Sequence, residues 1–229
     1  MSNLLTIAIL PMLLTLGAYQ VGLLCQRKLK SALANPVLIS VILVLLFMLV
    51  TGLRNDTYQA GMSKMSWMLT PATVCLAIPM YQHFQTLRRN LPAIFAGIAA
   101  GAVSCLAMVI LWAVAFRMDR SLALSLLPKS VTTAIGVPLS EMAGGLTSVT
   151  TAVIIITGIV ANITGSWCCK LFRLKDPVAQ GVAFGTAGHV IGTARANELG
   201  ELTGAVSSLS LVVAGLLTDV VFPLFCSLL

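Results

Sequence analysis

Leu126-Leu-Pro-Lys-Ser-Val-Thr-Thr-Ala-Ile-Gly-Val-Pro138 is apolar enough to enter a bilayer and too interrupted to cross it as one regular helix. Pro128 and Pro138 each remove a backbone donor and crowd the preceding turn, and Gly136 weakens the helix between them. A second stretch has the same character. Gly181-Val-Ala-Phe-Gly-Thr-Ala-Gly-His-Val-Ile-Gly-Thr-Ala-Arg195 carries four glycines and a surface of small residues. Irregular backbone at membrane depth survives only when it is buried in protein or lines a wet cavity. Whether these segments cross, or dip in and return, decides the fold.

The surrounding chain reads as a membrane protein. Of 229 residues, 58% are hydrophobic and 9% charged, with a mean hydropathy of +0.99; a soluble domain carries about a quarter charged residues. Six apolar runs are near or above the roughly 20 residues of a spanning helix: 4–25, 36–53, 67–84, 91–116, 146–171 and 202–229. No long polar linker separates them, so they read as one membrane-embedded unit. The N-terminus lacks the basic segment of a secretory signal peptide, so the first run reads as a retained span. The net charge of +7 sits in short clusters between runs, as orientation signals do, and not on a solvated face open to nucleic acid. Cys25, Cys75, Cys105, Cys168, Cys169 and Cys226 show no CxxC spacing and no histidines at ligand distance. They read as small apolar packers, and neither a metal nor a cofactor is expected. The P-loop, the Gly-x-Ser-x-Gly elbow and the His-Glu-x-x-His pair are all missing, so an enzyme is not expected.

Charge decides how the first interrupted segment runs. With Arg27, Lys28 and Lys30 in the cytoplasm, Arg88 and Arg89 fall inside, and Arg54, Lys64, Arg117 and Arg120 outside. If residues 121–145 crossed fully, Lys170, Arg173 and Lys175 would lie outside, giving five cations inside and seven outside. If the segment returns to its own side, the tally is eight inside and four outside. Only the second obeys the positive-inside rule, so a re-entrant hairpin is predicted.

An internal repeat points the same way. Residues 135–147 read Ile-Gly, seven residues, Gly-x-Leu-Thr, and residues 191–203 repeat the pattern at an offset of 56. Each copy leads into an apolar helix rich in small residues. A unit of one hairpin plus one span crosses the membrane once, so successive copies are inverted. Paired interrupted segments in inverted repeats mark midplane binding sites in secondary transporters.

The polar residues of these segments are the site candidates. Lys129, Ser130, Thr132 and Thr133 offer an ammonium, hydroxyls and open backbone N–H groups at a helix start, an arrangement suited to anions. The structural alternative is a lysine reaching to the interface, with hydroxyls bonded back onto the helix. Thr186, His189, Thr193 and Arg195 occupy the second segment. Arg195 is suited to bidentate carboxylate recognition, and His189 to binding or proton transfer. Glu141, Glu198 and Glu201 flank the segments and read first as helix caps or as neutralisers of a nearby cation. Asp219 lies inside the last apolar run, where a carboxylate is expensive. Asp219, Glu198 and His189 are the candidates for coupling to H⁺ or Na⁺. The Gly181–Gly185 spacing reads as close helix packing.

Leu127-Pro-Lys-Ser-Val-Thr-Thr133, Gly185-Thr-Ala-Gly-His-Val-Ile-Gly-Thr-Ala-Arg-Ala196 and Gly204-Ala-Val-Ser-Ser-Leu-Ser-Leu211 resemble the LrgB/CidB family. The likeness extends over most of the chain in length and hydropathy, with the specific motifs in the C-terminal half. Two positions depart from the family pattern and bear on hairpin geometry and substrate preference: Ala134 stands where proline is frequent, and Gly188 where serine is frequent. The resemblance implies antiholin-like modulation of murein hydrolase activity and autolysis beside a small LrgA/CidA-type membrane partner. Through a plastidal glycolate/glycerate translocator and relatives associated with pyruvate uptake, it also implies carriage of small monocarboxylates.

The resulting expectation is an all-α polytopic protein of the bacterial cytoplasmic (inner) membrane. It has about six full spans and two re-entrant or discontinuous hairpins. Residues 1–120 form a four-helix scaffold, and 121–175 and 176–229 form the two hairpin-plus-helix units. The expected activity is elevator-type transport of a small carboxylate anion by a homo-oligomer, and the alternative is an antiholin-like pore regulator.

Overall fold

The computed structural model describes residues 2–29, 36–68, 71 and 74–229, and every regular element among them is helical. Packing divides the chain into two compact units, Met1–Leu76 and Ala77–Leu229.

The first unit holds α1 (Ser2–Leu29), α2 (Pro36–Thr51) and α3 (Asn55–Ser66). The Thr15 hydroxyl donates to the Pro11 carbonyl at 2.7 Å and lies 2.7 Å from the Tyr58 hydroxyl, which ties α1 to α3. Gly22 lets α2 start against α1, since a Cβ there would sit 2.6 Å from the Pro36 carbonyl oxygen. Leu45, Leu46, Leu49 and Val50 of α2 are exposed apolar side chains, as a lipid-facing helix requires.

The second unit holds α4 (Ala77–Gln82), α5 (Phe84–Ala115), α6 (Arg120–Leu126), α7 (Thr133–Ala143), α8 (Thr147–Leu171), α9 (Pro177–Leu199) and α10 (Glu201–Cys226). Its core has three parts, the smallest of them Cys169, Phe184 and Ala196. Leu87, Ile94 and Ile98 of α5 pack with Val206 and Ala214 of α10. Leu106 and Val109, further along α5, pack with Leu124, Leu127, Leu139 and Phe222.

Four helices among the described residues are long and apolar enough to cross a membrane: Ile9–Lys28, Phe84–Ala115, Thr147–Leu171 and Glu201–Cys226. These are the first, fourth, fifth and sixth expected runs. The second run forms a 16-residue helix, α2. At 1.5 Å per residue it spans roughly 24 Å, short of a ~30 Å hydrocarbon core. Among the described residues of the third run, the one helix with assigned bounds is the six-residue α4, with Pro79 inside it. Positions 69–70 and 72–73 of that run, like Lys30 of the basic cluster, lie outside the described residues. The long helices place the two interrupted segments, α6–α7 and α9, side by side in one unit.

Candidate functional site

The first interrupted segment folds back on itself. The Asp119 carboxylate caps α6 by accepting from the Ser121 N–H at 3.0 Å. Seven residues later the helix ends before Pro128. Residues 127–132 turn the chain, and α7 returns to Gly144, whose φ of 88° gives the left-handed C-cap that glycine adopts freely. The arms meet at the mouth. The Ser121 hydroxyl donates to the Gly144 carbonyl at 3.0 Å, and the Leu146 N–H donates to the Ser125 hydroxyl at 2.6 Å.

The second segment also reverses, though α9 runs through its bend without a loop. Asp176 caps its start with Pro177 behind it, and His189 breaks it at φ 41°, ψ −135°. Gly192 then backs onto Phe184, eight residues earlier; a Cβ at Gly192 would lie 2.5 Å from the Phe184 carbonyl oxygen. In a straight helix those residues are about 12 Å apart. α8 flanks both arms. Going out, Phe184 lies against Gly165 and Gly188 against Ala161, and His189 fits beside Gly158. Coming back, the Asn162 amide donates to the Ile191 carbonyl at 2.9 Å and Arg195 Nε donates to Ser166 at 3.1 Å. A left-handed histidine costs about 1–3 kcal/mol unless its surroundings hold it. Here His189 Nε2 bonds the Ile154 carbonyl at 3.0 Å, and the Thr193 hydroxyl donates to the His189 carbonyl at 2.8 Å. The Ser207 hydroxyl, 2.8 Å from that of Thr193, is left to donate to it.

The two bends approach from opposite ends of the same helices. Along α5, Gly97 and Gly101 receive Val182 and Thr186 of the second hairpin. One turn on, Cys105 receives Lys129 and Ser130 from the tip of the first. Along α10, Ser207 and Ser210 back onto Gly185, and Gly215 faces Ile135 of α7. Between the tips lies a cavity of about 10 Å³, lined by Ala102, Cys105, Leu106, Leu127, Pro128, Ser130, Val131, Thr186, Ala214 and Thr218. That is about the room one water needs. The buried Thr186 Oγ1, on its wall, has no hydrogen-bond partner among the described residues. Lys129 Nζ donates to Cys105 Sγ at 3.1 Å. Among the described residues no carboxylate lies within 4.0 Å of that ammonium.

The eight expected site residues therefore divide. Ser130 and Thr186 line the cavity, and Lys129 reaches Cys105 on its wall. His189 and Thr193 are buried in the network that holds the second bend. Thr132 caps α7 by backbone position, without a side-chain bond, and Thr133 is exposed. Arg195 lies on the returning arm, ion-paired to Glu198 and bonded to Ser166. Its fork is turned along α9 and α8, about 9 Å along the helix from the bend. Glu198 thus neutralises a cation three residues away. Asp219 is exposed on α10, beside the cavity-lining Thr218. The residues sequence reasoning passed over are Cys105, Thr218 and Ser207. Cys105 gave no local signal, because its partners lie 24 and 25 residues on. The hydroxyl run Ser207, Ser208 and Ser210 inside an apolar helix was the available clue to the third.

The model of the LrgB-like family matches residues 15–228. Among curated proteins, the chain is 34% identical over 212 residues to the antiholin-like protein LrgB of Bacillus mycoides (strain KBAB4), covering 92% of each. Proteins of the same name from Bacillus cereus (strain B4264) and Bacillus anthracis (strain CDC 684 / NRRL 3495) match it at the same identity and coverage. No solved structure matches the chain.

Proposed function

The chain belongs to the LrgB-like family of multi-pass membrane proteins, and from that premise and the paired hairpins we propose that it is a secondary transporter of small organic monocarboxylates. Glycolate, glycerate, lactate and pyruvate are the substrate type, and the bacterial inner membrane is its place. The observation that carries this reading is the Lys129 ammonium. It sits at a hairpin tip, where it donates to Cys105 Sγ and meets no carboxylate within 4.0 Å among the described residues. Beside it is a cavity with an unpartnered hydroxyl. A cation inside an apolar segment costs about 2.5–3.5 kcal/mol. A carboxylate bound to Lys129, Ser130 and Thr186 offsets that cost.

The empty cavity is too small for such an anion, so binding requires the hairpins to move. Residues 121–175 and 176–229 are the moving units, an inverted pair, and residues 1–120 the scaffold. The repeat supports this. Gly136 and Gly192, 56 positions apart, each face the carbonyl of the residue eight earlier, Pro128 and Phe184. α5 presents glycines to the second hairpin, a smooth surface for an elevator-like displacement. Of the coupling candidates for H⁺ or Na⁺, His189 is the one buried at a bend, whereas Glu198 is engaged by Arg195 and Asp219 is exposed. A homo-oligomer and an LrgA/CidA-type companion complete the proposal.

The printed names of the relatives favour a second reading, an antiholin-like regulator of murein hydrolase activity and autolysis. Proteoliposome counterflow separates the two. The carrier gives saturable, competitive flux of labelled pyruvate or glycolate, and Lys129→Ala reduces it about 10–100-fold, the worth of a hydrogen bond to a charged group. Carboxyfluorescein escape without saturation, unchanged by Lys129→Ala, establishes the pore reading and removes the carrier.

A further inference from the structure

A second opening lies away from the hairpin tips, on the outer side of α8 and α9. It is a groove of about 230 Å³, lined chiefly by Gly165, Cys168 and Phe172 of α8 and by Ala183, Phe184 and Ala187 of α9. Its one hydroxyl, on Thr164, is already used, donating to the Val160 carbonyl at 2.7 Å. Nothing in the groove can hold a polar ligand, so the occupant's inserted part is hydrocarbon. The lining runs along α8 from Ala161 to Phe172. At 1.5 Å per residue that is about 16 Å, the depth of one leaflet's acyl layer.

The groove also has a charged end. Lys170, Arg173 and Lys175 alternate in sequence with the lining residues Cys169, Phe172 and Leu174, and all three cations are exposed. The only carboxylate in that turn, on Asp176, accepts from the Val178 and Ala179 N–H groups and caps α9. No ion pair engages the three cations among the described residues. An apolar slot one leaflet deep, ending in unneutralised cations at headgroup level, matches a single kind of molecule. We infer that this groove binds an anionic phospholipid, with one acyl chain between α8 and α9 and the phosphate on Lys170, Arg173 and Lys175. Basic pockets between membrane helices hold acidic headgroups by the same physics.

Trp167, exposed one position before the lining Cys168, is a built-in reporter. In the full chain carrying Trp67→Phe and Trp112→Phe, it is the only tryptophan left. The titrants are acyl-brominated phosphatidylglycerol and acyl-brominated phosphatidylcholine in mixed micelles. Phosphatidylglycerol should quench Trp167 saturably and at lower mole fraction. The preference should fall about 5-fold per cation neutralised, and by on the order of 100-fold in Lys170→Gln/Arg173→Gln/Lys175→Gln. Ala183→Leu fills the slot and leaves the charges, so it should reduce quenching by both lipids. Superimposed curves in the parent protein overturn the inference, and that arm requires no groove variant to fold. A preference that survives the triple substitution, or quenching unchanged by Ala183→Leu, also overturns it. Trp167 silent to both lipids in a cross-linkable dimer would assign the groove to a second copy instead.

Discussion

Gly192→Ala tests whether α9 doubles back. The added Cβ would sit 2.5 Å from the Phe184 carbonyl oxygen and 3.4 Å from its carbonyl carbon. Both are backbone atoms and cannot swing aside, so the arms must part by roughly 0.5–1 Å to reach ordinary contact. Overpacking of this kind costs about 1–3 kcal/mol. Replacing glycine by alanine in a helix returns about 0.8–1 kcal/mol. The net is a loss of about 0–2 kcal/mol. At this chain length, 1 kcal/mol corresponds to roughly 2–4 °C in apparent Tm, so a fall of up to about 8 °C is expected. Gly17→Ala in α1 provides the opposite sign, since a Cβ there meets nothing within 4 Å. It should keep the propensity gain and raise the Tm by a few degrees. Gly136→Ala should fall between the two: its hardest contact, 2.7 Å, is with the flexible end of Ile154, and the Pro128 carbonyl oxygen is 3.1 Å away. The assay is thermal unfolding in detergent, followed by tryptophan fluorescence. If Gly192→Ala and Gly17→Ala shift the Tm equally and in the same direction, residues 184 and 192 are not in contact and the hairpin is lost.

Three more outcomes follow from the site. Thr186→Val removes a buried hydroxyl that has no partner, so unfolding should become harder by about 1 kcal/mol while counterflow weakens, because the desolvation cost goes and a ligand contact goes with it. Thr193→Val leaves the Ser207 hydroxyl without its acceptor and should cost about 1–3 kcal/mol; in Thr193→Val/Ser207→Ala the total should be well below the sum of the single changes. Arg120→Cys and Leu146→Cys, each alone in a cysteine-free chain, should react with an impermeant thiol reagent from the same side of the membrane, because the 121–144 contact closes the first hairpin at its mouth; labelling from opposite sides would unmake it.

The first hairpin was legible in the sequence and the second only in part. Pro128 marks the end of α6, and the distribution of basic residues required the chain to return. In the second segment the glycines announced an irregular backbone, yet the break falls on His189 and not on a glycine. Glycines 188 and 192 instead give the bend room against α8 and between the arms. The span count was less legible, since a run of apolar residues does not show where the helix within it stops short of bilayer length, as α2 does before Gly52 at φ 66°.

Arg195 shows where the site reading parted from the structure. Assigning it to a substrate treated the whole of 181–195 as broken. Beyond residue 189 the chain is regular helix again, so the neighbour rule of helices applies and Glu198, at i+3, takes the guanidinium. For the proposed carrier, the distance along the arm bears on which cation meets the anion. A cation must stand at a bend to meet a ligand shared by both hairpins, and of the two expected site cations only Lys129 does. Its contact partner Cys105 comes from a third helix, which no pattern local to either hairpin encodes. The second hairpin contributes the Thr186 hydroxyl there, and no charge that Glu198 has not already met. The proposed carrier should therefore prefer a monocarboxylate to a dicarboxylate, because one unneutralised ammonium can balance one carboxylate. Competition by succinate as strong as that by lactate would contradict it.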